Sequence, residues 1–253
     1  MTHEFIHLLN FVLVSRLVYV FNDSRISMRL VVAMLIIQIL GLFTFEITLA
    51  WCVLACLMIG QVILFHQIEN RFEFKEGIRS LSLLVTIVVL SIFFSIRVHL
   101  AFNLAPFNAL ASAAQFSLLL EPLAKVHWGQ TGSMLMGFLL VLNEANLLLR
   151  TVLRRLNLAP HRNNSGPEWK GSISEGEFNT GRIIGMLERT IIFVAVLNNE
   201  IAAIGLVLGA KAFTRFKEFE NREFAEYVLI GTLTSAFIAV AVALVVKSIV
   251  PAG

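Results

Sequence analysis

Apolar runs about as long as a bilayer is thick, parted by short polar stretches, organise this chain. Met28–Phe45 and Ile47–Gln67 are apolar with only Glu46 between them, a connection so short that it predicts an antiparallel helical hairpin. Ser80–Ile96 (SLSLLVTIVVLSIFFSI) is the most apolar stretch, and Gly132–Leu149, Ile183–Ala210 and Tyr227–Val250 follow it. A bilayer core about 30 Å thick takes roughly 20 apolar residues per helical crossing. A membrane-spanning barrel would instead alternate apolar and polar positions in short segments. The expected fold is therefore all-α: a polytopic transmembrane helical bundle with about 5–7 apolar segments.

Two segments depart from this pattern. Glu4–Phe21 is apolar but carries His7, Asn10, Ser15 and Arg16, and a cation at the bilayer midplane costs roughly 2.5–3.5 kcal/mol. It either lies in the membrane interface or turns its polar side onto other helices; Asn22, Asp23 and Ser24 end it. Val98–Leu120 is interrupted by Pro106, with Asn103 and Asn108 alongside and ALASAAQFS after it. Irregular backbone at membrane depth survives only against protein or a water-filled cavity. This segment is expected to be a kinked span or a re-entrant hairpin.

Composition supports the membrane reading. The chain has 253 residues, 57% hydrophobic and 15% charged, with mean hydropathy +0.81, against about 45–50% and 25% in soluble domains. No large soluble domain fits in what remains. The net charge of +3 is small, so the placement of charge matters more than its sum. Arg150, Arg154, Arg155, Arg162, Lys170 and Arg182 outweigh Glu168, Glu175 and Glu177 in one hydrophilic stretch, whose PHRNNSGPEWKGS is rich in turn residues. Lys and Arg favour the cytoplasmic side, which puts this stretch inside, together with Arg25, Arg29 and the Arg71–Arg79 loop. Three apolar segments separate the last two of these loops. An odd number cannot bring the chain back to the same side, so one does not cross, and the Pro106 segment is the prime suspect.

The resulting division is 1–149, N-terminal transmembrane helices; 150–182, a basic cytoplasmic loop; and 183–253, C-terminal transmembrane helices. An interfacial helix is expected near 211–226, where Phe213, Phe216, Phe224 and Tyr227 share a face. Ile68–Arg79 alternates in sign and reads as a solvated linker. Met1–Phe21 has neither a basic start nor an A-x-A exit, so no cleavable signal peptide is expected.

Candidate chemistry is sparse. Asn108, Ser112 and Gln115 fall on one helical face and could line a water-filled path. The alanines around them equally suit close helix packing. Asn143, Glu144 and Asn146 form a polar island in one apolar run, and Glu188, Arg189, Asn198, Asn199 and Glu200 another. Ionisable residues inside membrane helices are costly and mark functional positions. A Glu144–Arg189 pair would satisfy both groups, whereas snorkelling of Glu188 and Arg189 to the interface is the plainer alternative. Arg150, Arg154, Arg155, Arg162, Lys170 and Arg182 could hold an anionic ligand through fork-like phosphate contacts, with Trp169 stacking a base. The same residues also serve as a topology signal alone.

Catalytic motifs are missing. The chain lacks G-x-x-x-x-G-K-[ST], H-E-x-x-H and a nucleophile elbow. Only His3 and His7 have ligand-like spacing, and Cys52 and Cys56 sit one turn apart in an apolar run with no further ligand nearby. The expectation is a non-enzyme with no cofactor and no metal.

GRIIGMLERTIIF (Gly181–Phe193), AIGLVLGAKAFTRF (Ala203–Phe216) and REFAEYVLIGTLTS (Arg222–Ser235) resemble the C-terminal part of a family of uncharacterised bacterial multispanning membrane proteins. In size and layout, with one basic loop among several spans, the chain is also similar to the channel effectors of the Hailong anti-phage system. That resemblance implies an oligomeric, anion-selective channel; the bacterial inner membrane is the location expected from the apolar helices themselves. Its implied partners are the lipid bilayer, further copies of itself, and a nucleotide or single-stranded oligonucleotide made by a partner nucleotidyltransferase. Two competing classes are a membrane scaffold or assembly protein and a small transporter. Inverted repeats would mark the transporter, and none is visible in the sequence.

Overall fold

A segment surrounded by lipid must satisfy its backbone N–H and C=O groups within itself, which selects helix. The computed structural model describes residues 3–22, 26–72, 74–95, 100–103, 128–156, 175–214 and 222–250, and helices dominate them. Strands are absent among the described residues; the nearest thing to one is an isolated antiparallel bridge between Phe45 and Phe102. Among the described residues, five helices are long and apolar enough to cross a membrane: His3–Val20, Leu49–Arg71, Lys75–Ser95, Gly129–Arg155 and Val228–Ile249. Met28–Leu42 and Ile201–Thr214 are shorter apolar helices. The chain divides into two compact units, Met1–Leu139 and Leu140–Gly253.

The first unit holds α1 (His3–Arg16), its short continuation α2 (Val18–Phe21), α3 (Met28–Leu42), α4 (Leu49–Arg71), α5 (Lys75–Ser95) and α6 (Trp128–Leu139). Packing of α1 against α3, α5 and α6 makes it the hub of the unit, and α4 lies along α3 and α5. Of the apolar stretch of α1, 61% is buried, against 17% for α4 and 28% for α5. That decides between the two expectations for this segment: its polar side turns inward onto other helices. Asn10, Ser15 and Arg16 are all buried.

The expected hairpin of α3 and α4 is present, though α3 stops at Leu42. Its 15 residues rise about 22 Å at ~1.5 Å each, less than a bilayer core. The Thr48 side chain accepts from the Trp51 backbone N–H at 3.2 Å and caps α4, while the Trp51 indole donates to the Leu42 carbonyl at 2.8 Å. One residue thus ties the end of α3 to the start of α4.

The linker expected at Ile68–Arg79 is corrected by the structure. Helix α4 runs on to Arg71 and α5 begins at Lys75. Glu69 and Arg79 are each only 3% exposed. Alternating charge looks the same in a solvated loop and in two helix ends that turn one charge each inward.

The second unit holds a π-helical turn (Leu140–Glu144), α7 (Ala145–Arg155), α8 (Glu175–Leu197), α9 (Ile201–Thr214) and α10 (Arg222–Ile249). Helix α8 packs along α10, and small residues permit the approach. Ala236, Ala239 and Ala243 of α10 meet Ile192, Phe193 and Val196 of α8, with Val141 and Val246 completing the core. Without a hydrophobic drive between helices in lipid, such close van der Waals contact is what holds them.

The single apolar run expected at Ile183–Ala210 is two helices. Asn199 adopts a left-handed conformation, φ 62°. The Asn199 N–H donates to the Val196 carbonyl at 3.2 Å and the Glu200 N–H to the Ala195 carbonyl at 2.8 Å, the Schellman pattern of a helix C-terminus. Asparagine tolerates this conformation better than other residues with a Cβ. Asn199→Val should therefore lower the thermal midpoint by the equivalent of about 1–2 kcal/mol, and Asn199→Gly should leave it nearly unchanged. Equal melting of both variants would remove the turn as the cause of the break. Of the expected interfacial helix, Lys211–Thr214 close α9 and Arg222 onward opens α10, while residues 215–221 lie outside the described part.

Candidate functional site

Charge buried among apolar helices has to be compensated, and the first unit shows how. The Arg79 guanidinium grips Glu69 Oε1 through Nε at 3.1 Å and Nη2 at 2.5 Å, and Nη1 donates to the Asn22 carbonyl at 2.9 Å. From α1, Arg16 donates to the Ser82 hydroxyl and to the Arg79 carbonyl, both at 2.6 Å. The ring of Tyr19 meets both cations, with Arg16 at 5.0 Å and Arg79 at 4.7 Å from its centroid, within cation–π range.

Neutral polar groups extend this cluster along the interior. Gln38 donates to the Ser15 hydroxyl at 3.0 Å. The Gln61 amide reaches the Ser82 carbonyl at 3.1 Å and also the Thr86 hydroxyl. A cavity of about 30 Å³ lies among Arg16, Tyr19, Gln38, Gln61, Glu69 and Ser82, room for one or two waters at ~10–15 Å³ each.

The second unit has a different polar feature. Arg189 is 2% exposed. Its Nε donates to the Val141 carbonyl at 3.1 Å and its Nη1 to the Ser235 hydroxyl at 3.3 Å. The π-helical turn lets Val141 offer that carbonyl sideways, because the regular i→i+4 ladder is interrupted there. The third guanidinium nitrogen, Nη2, is buried without a hydrogen-bond partner, an omission that costs roughly 1–3 kcal/mol. Arg189 lines a cleft of about 150 Å³ with Asn146, Arg182, Lys211, Thr232 and Ser235. Lys211 is also held by Glu188 at 2.5 Å.

The expected pairing of Glu144 with Arg189 does not form. Glu144 accepts instead from the adjacent Asn143 amide at 2.9 Å, and both are buried. Neutral acceptors take Arg189, and Glu188, for which snorkelling was the alternative, takes Lys211.

Comparison of the chain with protein-family models, with curated proteins and with solved structures finds no match for it. Its chemistry is therefore read from its own residues.

The remaining candidates separate clearly. Asn198, Asn199 and Glu200 face outward on the turn between α8 and α9, so they do not form a buried polar site. Arg154 and Arg155 face outward at the end of α7, and Arg150 is half-buried one turn earlier. Arg182 joins Arg189 and Lys211 at the cleft. Asn108, Ser112, Gln115, Arg162, Trp169 and Lys170 lie outside the described residues. The His7 imidazole meets the Thr44 hydroxyl at 2.9 Å and packs against Phe11, Phe45 and Phe102; His3 lies against Gly129.

The residues that sequence reasoning missed are Gln38, Gln61, Glu69, Arg79, Ser82, Thr86, Lys211, Thr232 and Ser235. One signal for them exists. Arg79, Ser82 and Thr86 recur at i, i+3 and i+7 on the most apolar span, a polar stripe on one helical face.

Proposed function

We propose that this chain is the subunit of an oligomeric ion channel of the bacterial cell membrane. The observation that supports it is the polar interior of the first unit: Arg16, Glu69 and Arg79 buried among apolar helices around a small cavity. Charges buried among membrane helices are costly and mark ion paths in membrane proteins. Buried cations favour an anion as the conducted species. The cavity is far too narrow to conduct by itself, so conduction runs between copies around a symmetry axis.

Helix α9 supplies a face for such assembly. None of its residues is buried, and a Cβ added at Gly205 or Gly209 would meet nothing within 4 Å. Glycines four apart let membrane helices approach closely. Control by a nucleotide or oligonucleotide from a partner nucleotidyltransferase, in anti-phage defence, is the finer form of the proposal. The chain's layout and the basic excess around Arg150–Arg182 support it.

The test is chloride and potassium flux in liposomes containing the purified protein, with and without oligodeoxyadenylate. Chloride flux well above potassium flux is expected. Gly205→Leu with Gly209→Leu should abolish flux and convert the particle to monomer by native mass measurement. The melting midpoint should stay within the equivalent of about 0.5 kcal/mol, because the added side chains meet open space. A monomeric parent protein sinks the shared pore. Absence of flux with every ligand would favour the scaffold reading, and flux saturating with substrate at a transporter's slow turnover would favour the third class.

A further inference from the structure

We propose that the cleft of the second unit is a binding site for a phosphate group. Arg182, Arg189 and Lys211 converge there from α8 and α9, and Arg150 is a further charged neighbour of Arg189. Glu188 meets this set through Lys211. Asn146, Thr232 and Ser235 add an amide and two hydroxyls from α7 and α10. The decisive feature is Arg189: it is 98% enclosed, tied down at Nε and Nη1, and its Nη2 is left without a partner. A guanidinium beside this cleft thus keeps one buried N–H group in need of an acceptor.

The donor set selects the ligand class. Guanidinium and ammonium donors gathered from two helices suit the several oxygens of a phosphate better than a single spherical ion. Hydroxyl and amide donors approach from another helix, so acceptors are needed in more than one direction. At about 150 Å³ the cleft is smaller than the roughly 300 Å³ of a drug-sized site. One phosphate group with a few waters fits; a whole nucleotide does not. The same chemistry is carried by free phosphate and by the headgroup of an acidic phospholipid. The site stands independently of whether the chain conducts ions.

The experiment uses the full chain in detergent, in two arms. One titrates inorganic phosphate and follows the melting midpoint. The other adds mixed micelles of phosphatidylglycerol or phosphatidylcholine and counts retained lipid by native mass spectrometry. Saturable stabilisation by phosphate identifies a free anion, and selective retention of phosphatidylglycerol identifies a headgroup. In whichever arm responds, Arg182→Gln should weaken binding about tenfold, the loss of one charge-assisted hydrogen bond. Thr232→Val should weaken it less, and Glu188→Gln should tighten it several-fold by releasing Lys211 to the ligand. The gain in Glu188→Gln cannot arise from damage to the fold. Binding in neither arm, or equal binding by parent and all three variants, overturns the site.

Discussion

Glu69→Gln should lower the stability of the first unit by about 3–5 kcal/mol, the loss found when one partner of a buried ion pair is removed. Arg79 and Glu69 have side chains 2% and 4% exposed and meet at 2.5 Å. The variant takes the carboxylate away from the enclosed Arg79 cation, which also meets the Asn22 carbonyl and the Tyr19 ring. Arg16 is coupled to the loss, because its Nη2 is held by the Arg79 carbonyl and its Nη1 by Ser82. Denaturation in mixed micelles would measure the effect. The double variant Glu69→Met, Arg79→Met should recover much of it, since removing both charges also removes their desolvation cost. A loss below about 1 kcal/mol for Glu69→Gln, the range of solvent-exposed pairs, would show that the pair is hydrated in solution and not enclosed.

Gly41→Leu should cost about 3 kcal/mol, the upper end for overpacking a tight contact. Helices α1 and α3 cross at Gly41 so closely that an added Cβ would lie 2.5 Å from Phe11 Cγ and 2.7 Å from Phe11 Cβ. The ring can swing away, but Phe11 Cβ cannot move without the backbone of α1. Gly41→Ala should therefore already destabilise, and Phe11→Ala should restore only the part caused by the ring. Thermal melting of the four combinations tests this. Unchanged melting of Gly41→Leu would mean that α1 and α3 do not meet at this glycine. The crossing matters beyond packing, because it sets the position of α1 and hence of Arg16 against α5.

The sequence by itself determined that this is an all-α chain with multiple apolar helices. Lipid forces that outcome through backbone hydrogen bonding, and length and hydropathy report it directly: Leu49–Arg71, Lys75–Ser95 and Val228–Ile249 lie where apolar runs fall. The α3–α4 hairpin was legible for the same reason, since the residues around Glu46 leave no room for another path. Arg189 was flagged as a residue too costly to be incidental, but its partner was not. Glu144 lay at a plausible depth, yet the guanidinium found Val141 and Ser235 because a π-helical turn presents a carbonyl there, and sequence spacing does not encode such a turn. Nor could alternating signs in Ile68–Arg79 say which charges turn inward. Glu69 and Arg79 are buried because α1 and its continuation α2 bring Arg16 and Tyr19 to that spot, and only the packing of α1 between α3, α5 and α6 decides this. The cleft at Arg182, Arg189 and Lys211 has the same origin. Its residues come from helices separated by the Asn199 turn, and that reversal of the chain, made by one left-handed residue, sets which cations share a space.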